Sequence, residues 1–169
     1  MASYANVITN NTMNYIPLSD YKRKWIFTHQ SLPIAESDLA EIKPMTEARA
    51  GQLWQEFVSK DSPTPDHFGK QDWPTHQSVW KNRLVWQSAW DNDEDLPDEF
   101  LAHFPWEDNI VIYFCYDKHN VVESRWGIFK KYWKNFLFYD DKPILLGRRR
   151  KEVAMFEQSG EVVIGTRQS

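Results

Sequence analysis

At Ile110 the spacing of apolar side chains changes, and no other feature of the sequence constrains the fold as much. Residues 110–116 (IVIYFCY) are apolar at both parities, the pattern of a central strand covered on both faces. Asp117-Lys118-His119-Asn120 reads as a turn, with residues 121–125 as the return strand. Phe129, Tyr132, Trp133, Phe136 and Leu137 then repeat at three and four, predicting a helix at about residues 127–138. Lys130, Lys131 and Lys134 lie off that stripe. After a turn at residues 140–142, strands are expected at 144–148, 153–157 and 162–166, the last two joined through Ser159-Gly160. The helix should pack across this sheet, against the parity that carries Ile110, Ile112 and Phe114.

The first half reads differently. Residues 35–43 and 46–60 look like two helices divided by Pro44, with Thr46 as N-cap of the second. Ala50, Leu53, Trp54, Phe57 and Val58 form its core stripe. Residues 61–74 hold three prolines and a glycine and read as a loop. Residues 79–90 return to a helical pattern, and Pro97 opens a short helix at 97–103. Residues 15–18 and 25–27 suggest a strand or extended segment. Strands bunched after helices argue for an α+β fold. The expectation is an antiparallel sheet of about four to six strands, mostly in the C-terminal third, packed with N-terminal helices and the helix near 127–138.

A length of 169 residues suits one domain. Residues 1–12 (MASYANVITNNT) are read as a disordered extension and 13–169 as the single α+β domain. The first 30 residues lack the apolar run of a signal peptide, and no stretch approaches the ~18–20 apolar residues of a membrane span. Cys115 is the only cysteine, so an internal disulfide is impossible. A cytoplasmic location with no membrane association is expected.

The net charge of −4 hides an uneven distribution. Residues 1–90 are balanced, 91–109 carry eight acids and no Lys or Arg, and 110–169 net +4. An acidic total disfavours general nucleic-acid binding. The acidic stretch, with Asp91, Asp93, Glu94, Asp95, Asp98 and Glu99, is a candidate surface for a basic protein partner. It is not a calcium loop: counted from Asp91, positions six and twelve are Leu96 and Ala102 where glycine and glutamate are needed. Arg148, Arg149, Arg150 and Lys151 could clamp phosphate or nucleic acid, or keep a sheet edge soluble.

Two further groups bear on catalysis. Cys115, Asp117 and His119 share a parity, but along a strand the cysteine and histidine stand about 13 Å apart at ~3.3 Å per residue. A nucleophile and its base must come within ~3.2 Å, so no catalytic set is assigned. Asp66, His67, Asp72 and His76 are of types that accept a transition metal and would support a metal-dependent enzyme, though their spacing matches no metal motif. No cofactor is expected. Most of the nine tryptophans should be buried, with Trp73 and Trp106, both beside proline in loops, as the exposed exceptions.

Several segments together carry a resemblance: Asn14-Tyr15-Ile16-Pro17-Leu18 with residues 21–27 (YKRKWIF), Phe68-Gly69-Lys70 before Asp72-Trp73-Pro74, and residues 126–138 followed by Gly147-Arg148 and Gly165-Thr166-Arg167. Over about residues 13–167 the chain resembles an uncharacterised family of short, single-domain bacterial proteins of unknown function. That resemblance implies no catalytic residues. The C-terminal third more loosely resembles bacterial toxin-immunity proteins, which implies a toxin-neutralising binding domain.

Overall fold

The apolar run at 110–116 becomes a strand roofed on both sides. The computed structural model describes residues 14–139 and 142–168. Its strands are β1 (Lys43–Pro44), β2 (Trp80–Val85), β3 (Val111–Asp117), β4 (Asn120–Arg125), β5 (Ile144–Gly147), β6 (Glu152–Phe156) and β7 (Glu161–Thr166). Its helices are α1 (Trp25–Thr28), α2 (Glu36–Leu39), α3 (Glu47–Phe57), α4 (Gln87–Asp91), α5 (Asp98–His103) and α6 (Trp126–Phe136). The strands form one antiparallel sheet in the order β1-β4-β3-β5-β6-β7-β2. The extension expected at 1–12 lies outside the described residues, as do Asp140 and Asp141 of the turn expected at 140–142.

Alternation along β3 divides the core. Ile112, Phe114 and Tyr116 meet the α6 stripe, and Tyr113 and Cys115 point to the opposite side, where α3 packs. On the first face Phe114 stands 5.3 Å, ring centre to ring centre, from both Phe129 and Phe136. Phe129, Tyr132, Trp133, Phe136 and Leu137 are all buried, as the stripe predicts. The buried amide of Asn135 donates to the carbonyls of Ile26 and Leu32, tying the segment after α1 onto α6. On the second face Ala50, Leu53 and Trp54 of α3 are buried, and Thr46 caps the helix by accepting the Arg49 amide N–H.

The sheet has seven strands rather than four to six, because both edges come from segments that read as helical. Residues 35–43 form only the single turn α2, and Lys43–Pro44 pairs with β4 as the edge strand β1. Residues 79–90 split into β2 and the short α4. Within β2 the residues Lys81, Asn82 and Arg83 are exposed, a polar edge that gives a weak periodic signal. The partner strand specifies this pairing: a Cβ on Gly165 would stand 2.0 Å from the Val79 carbonyl oxygen, so only glycine admits the approach. Residues 25–27, expected to be extended, belong to α1, and Pro97 is the N-cap of α5 rather than its first residue.

Candidate functional site

The acidic stretch folds as the end of α4, a tight turn and the start of α5. Asp91, Asp93, Glu94, Asp95, Asp98 and Glu99 are all exposed. Two of the eight acids in residues 91–109 are neutralised from α6: Asp93 pairs with Lys134 at 2.6 Å and Asp108 with Lys130 at 2.7 Å. Hydrogen bonding to the Lys134 ammonium holds the Asp93 carboxyl below the usual carboxylate range. Asp91 accepts from the Gln87 amide at 3.1 Å, and Glu99 accepts from the Asn82 amide. Among the described residues Asp91, Glu94, Asp95, Asp98 and Glu99 have no cationic partner.

Beside these acids lies an aromatic surface that the sequence reading missed. Trp25 is 44% exposed and Phe138 40%, with ring centres 5.6 Å apart. Trp90, half-buried at the start of the acidic turn, stands 6.0 Å from Phe138 and 5.8 Å from Trp133. The Lys134 ammonium sits 5.8 Å from the Trp90 ring while it pairs with Asp93. Trp90 and Lys134 thus connect the acidic turn at Asp93 to the exposed rings of Phe138 and Trp25. No linear pattern announces it, since Trp25, Trp90 and Phe138 come from three distant segments.

The expected exposed tryptophans are corrected. Trp106 is buried at 7%: it packs against Phe104 and Trp126, and its indole N–H donates to Glu152 at 2.7 Å. Gly147 makes the room, because a Cβ there would stand 2.9 Å from the Trp106 ring. Trp73 is half-buried, its N–H donating to the Phe57 carbonyl at 2.7 Å.

The Asp66, His67, Asp72 and His76 loop does not converge. Asp66 pairs with Lys142 at 3.4 Å, His67 Nδ1 bonds the Thr64 hydroxyl at 2.7 Å, and His76 Nε2 bonds the Lys70 carbonyl at 2.8 Å. Asp72 is buried and accepts the Gly69 amide N–H at 2.8 Å, which folds the loop on itself. Among the described residues no group of three His, Cys, Asp or Glu side chains could hold a metal ion. Cys115 is buried, and burial pushes its thiol far above the ordinary range, so it is poor in thiolate. Asp117 instead accepts from the His119 amide and Asn120, and pairs with Arg23 at 3.6 Å.

The four consecutive cations do not act as a unit. Arg148 turns to the α3 side of the sheet, donating to the Tyr113 hydroxyl at 2.8 Å and pairing with Glu123 at 3.6 Å. Arg149, with φ 57°, occupies the tight turn between β5 and β6. Arg167, which follows β7, joins the remaining three: its amide donates to the Lys151 carbonyl at 2.9 Å and its Nη2 to the Arg150 carbonyl at 3.3 Å. The sequence places it 16 residues from Lys151, so only the β6–β7 pairing reveals it.

Among the described residues no helix is long and apolar enough to cross a membrane. The model of a family described as "Protein of unknown function (DUF2947)" matches residues 15–165. No curated protein and no solved structure matches the chain.

Proposed function

The chain belongs to the DUF2947 family, whose description carries no activity, and from the residues themselves we propose that it is a non-enzymatic binding domain for a cationic protein partner. One observation carries this reading: the acidic turn, with five carboxylates that lack cationic partners, follows directly on Trp90, whose ring packs against the exposed Phe138 and through it Trp25. Acids steer and orient a basic partner, and flat rings give its arginine or lysine side chains an apolar and cation–π contact. Large exposed aromatics beside a charged rim are typical of protein contact surfaces. In its sharpest form the partner is a toxin domain, the chain neutralises it, and both act in the bacterial cytoplasm.

Capture from the native host tests the reading. The wild type should retain a basic protein that is lost when Asp91, Glu94 and Asp95 are all replaced by serine, and lost again in a Trp25→Ser, Phe138→Ser double variant. Raising the salt should weaken the first interaction strongly, because exposed charges are screened beyond ~8–10 Å. If both variants capture the same proteins as the wild type, the surface is not a binding site.

A further inference from the structure

The cations left over by this reading border a different feature. An open groove of about 820 Å³ runs between the C-terminal end of α3 and the β5–β6 turn. Arg149, Arg150, Lys151 and Arg167 line it from the sheet, and Glu56, Lys60 and Asp61 line it from the α3 side. We propose that this groove binds a small phosphate monoester whose body carries hydroxyl or amine donors.

The sheet side suits an anion. Among the described residues none of its four cations has a carboxylate within ion-pair distance. Arg167 is the most exacting of them. It is half-buried over the Phe57 ring at 5.3 Å, and its Nε is buried with no hydrogen-bond partner. A guanidinium cannot shed its proton near neutral pH, and the Phe57 ring and the Arg150 carbonyl leave its Nε unmatched, so an acceptor with negative charge complements it best. A phosphate group, with its acceptor oxygens and charge near −2, matches two or three such donors at once.

The α3 side determines the rest of the ligand. A helix C-terminus presents carbonyl groups and partial negative charge, and Glu56 and Asp61 add two exposed carboxylates, of which the single Lys60 offsets one. That wall repels a second phosphate and accepts hydrogen bonds from donors. A polyanion such as RNA would be held at the sheet wall and find no surplus of cations on the other, where Glu56, Lys60 and Asp61 net −1. One phosphate on a donor-bearing body satisfies both, and the volume lies in the range of ~300–1,000 Å³ usual for small-molecule sites.

Calorimetric titration of the full chain at low salt, with inorganic phosphate, ribose 5-phosphate and AMP as separate probes, tests this. Both esters should bind saturably and more tightly than inorganic phosphate. Arg150→Gln and Arg167→Met should each weaken them about tenfold, the loss of one charge-assisted hydrogen bond. Arg149→Gly removes a cation while relieving its left-handed backbone, so it should weaken binding without harming folding. Glu56→Gln should weaken the esters and leave inorganic phosphate unchanged. Arg83→Gln, on β2 and away from the groove, should change nothing. The proposal is overturned if no probe binds, if inorganic phosphate binds as tightly as both esters, or if Arg83→Gln weakens binding as much as Arg150→Gln. It is equally overturned if the Arg149→Gly, Arg150→Gln double variant keeps full affinity. None of these readouts depends on the acidic face.

Discussion

The two faces of the sheet are closed by different means. Under α6, rings meet rings: Phe114, Phe129, Phe136 and Phe156 lie with centres 5.3–6.1 Å apart where they touch. On the other face α3 covers only part of the sheet, and much of the remaining cover comes from residues 59–79, which hold only short turns. That cover is latched by indole N–H groups to backbone carbonyls: Trp54 to Ser62 at 2.6 Å, Trp73 to Phe57 at 2.7 Å and Trp80 to Pro74 at 2.9 Å. Ring packing seals a surface, because dispersion and burial favour the closest fit. A latch fixes a loop at one point and leaves space beside it. The groove lies on the latched face, at the carbonyl end of α3.

The largest expected effect falls on the sealed face. Trp133→Ala should cost ~3–5 kcal/mol, since the buried ring is lost and its cavity closes only in part. That is a large share of the ~5–15 kcal/mol a whole domain has. Urea denaturation should show a much lower midpoint at unchanged slope. A loss below about 1 kcal/mol would mean that α6 is not the element that seals this face.

A smaller effect isolates the latch. Trp73→Phe keeps a ring and removes the N–H that the Phe57 carbonyl accepts. It should cost about 0.5–1.5 kcal/mol, the net worth of one hydrogen bond. The nearby groove provides a second readout: amide exchange in residues 69–73 should speed up while β3 stays protected. If exchange is unchanged, the ring and not its N–H holds the loop.

This contrast also explains what the sequence reveals. The sealed face rests on period: the 129–137 stripe and the apolar parities of β3 are local patterns, and α6 and β3 to β7 lie within a few residues of their expected bounds. The latched face rests on single hydrogen bonds between segments, which leave no periodic trace. The same holds for the edges, where β2 is admitted by Gly165 and β1 ends in a proline. Among candidate site residues, the exposure of the six acids is legible because they are consecutive or nearly so. Arg167 and the Trp25–Phe138 pair are not, since β pairing and helix packing bring them in from far along the chain. Trp106 misleads for a related reason: its neighbour Pro105 signals a loop, while the space that receives its ring is set by Gly147, 41 residues later.

The smallest predicted effect separates the two faces by pH. At the rim of the sealed face the carboxyls of Asp38 and Asp93 are held below their ordinary range. For Asp38 the Tyr132 hydroxyl is the larger cause and Lys131 the next; for Asp93 the cause is Lys134. A carboxyl depressed in the folded chain binds its proton more readily in the unfolded one. Its contribution is therefore fully present above the ordinary carboxylate pKa and is lost as pH falls through the depressed folded value. Asp93 is exposed and Asp38 lies half-buried at the surface, so the contribution is small and salt should screen it, most of all for Asp93. Asp93→Asn should lower the denaturation midpoint at neutral pH and low salt, and the difference from wild type should shrink both on acidification and in added salt. The Trp73→Phe loss involves no charge, so it should stay constant over the same range. If the Asp93→Asn difference proves equally indifferent to pH and salt, the Asp93–Lys134 pair does not stabilise the rim, and the acidic turn is held by its backbone contacts, such as the Glu94 amide to the Ala89 carbonyl at 2.8 Å.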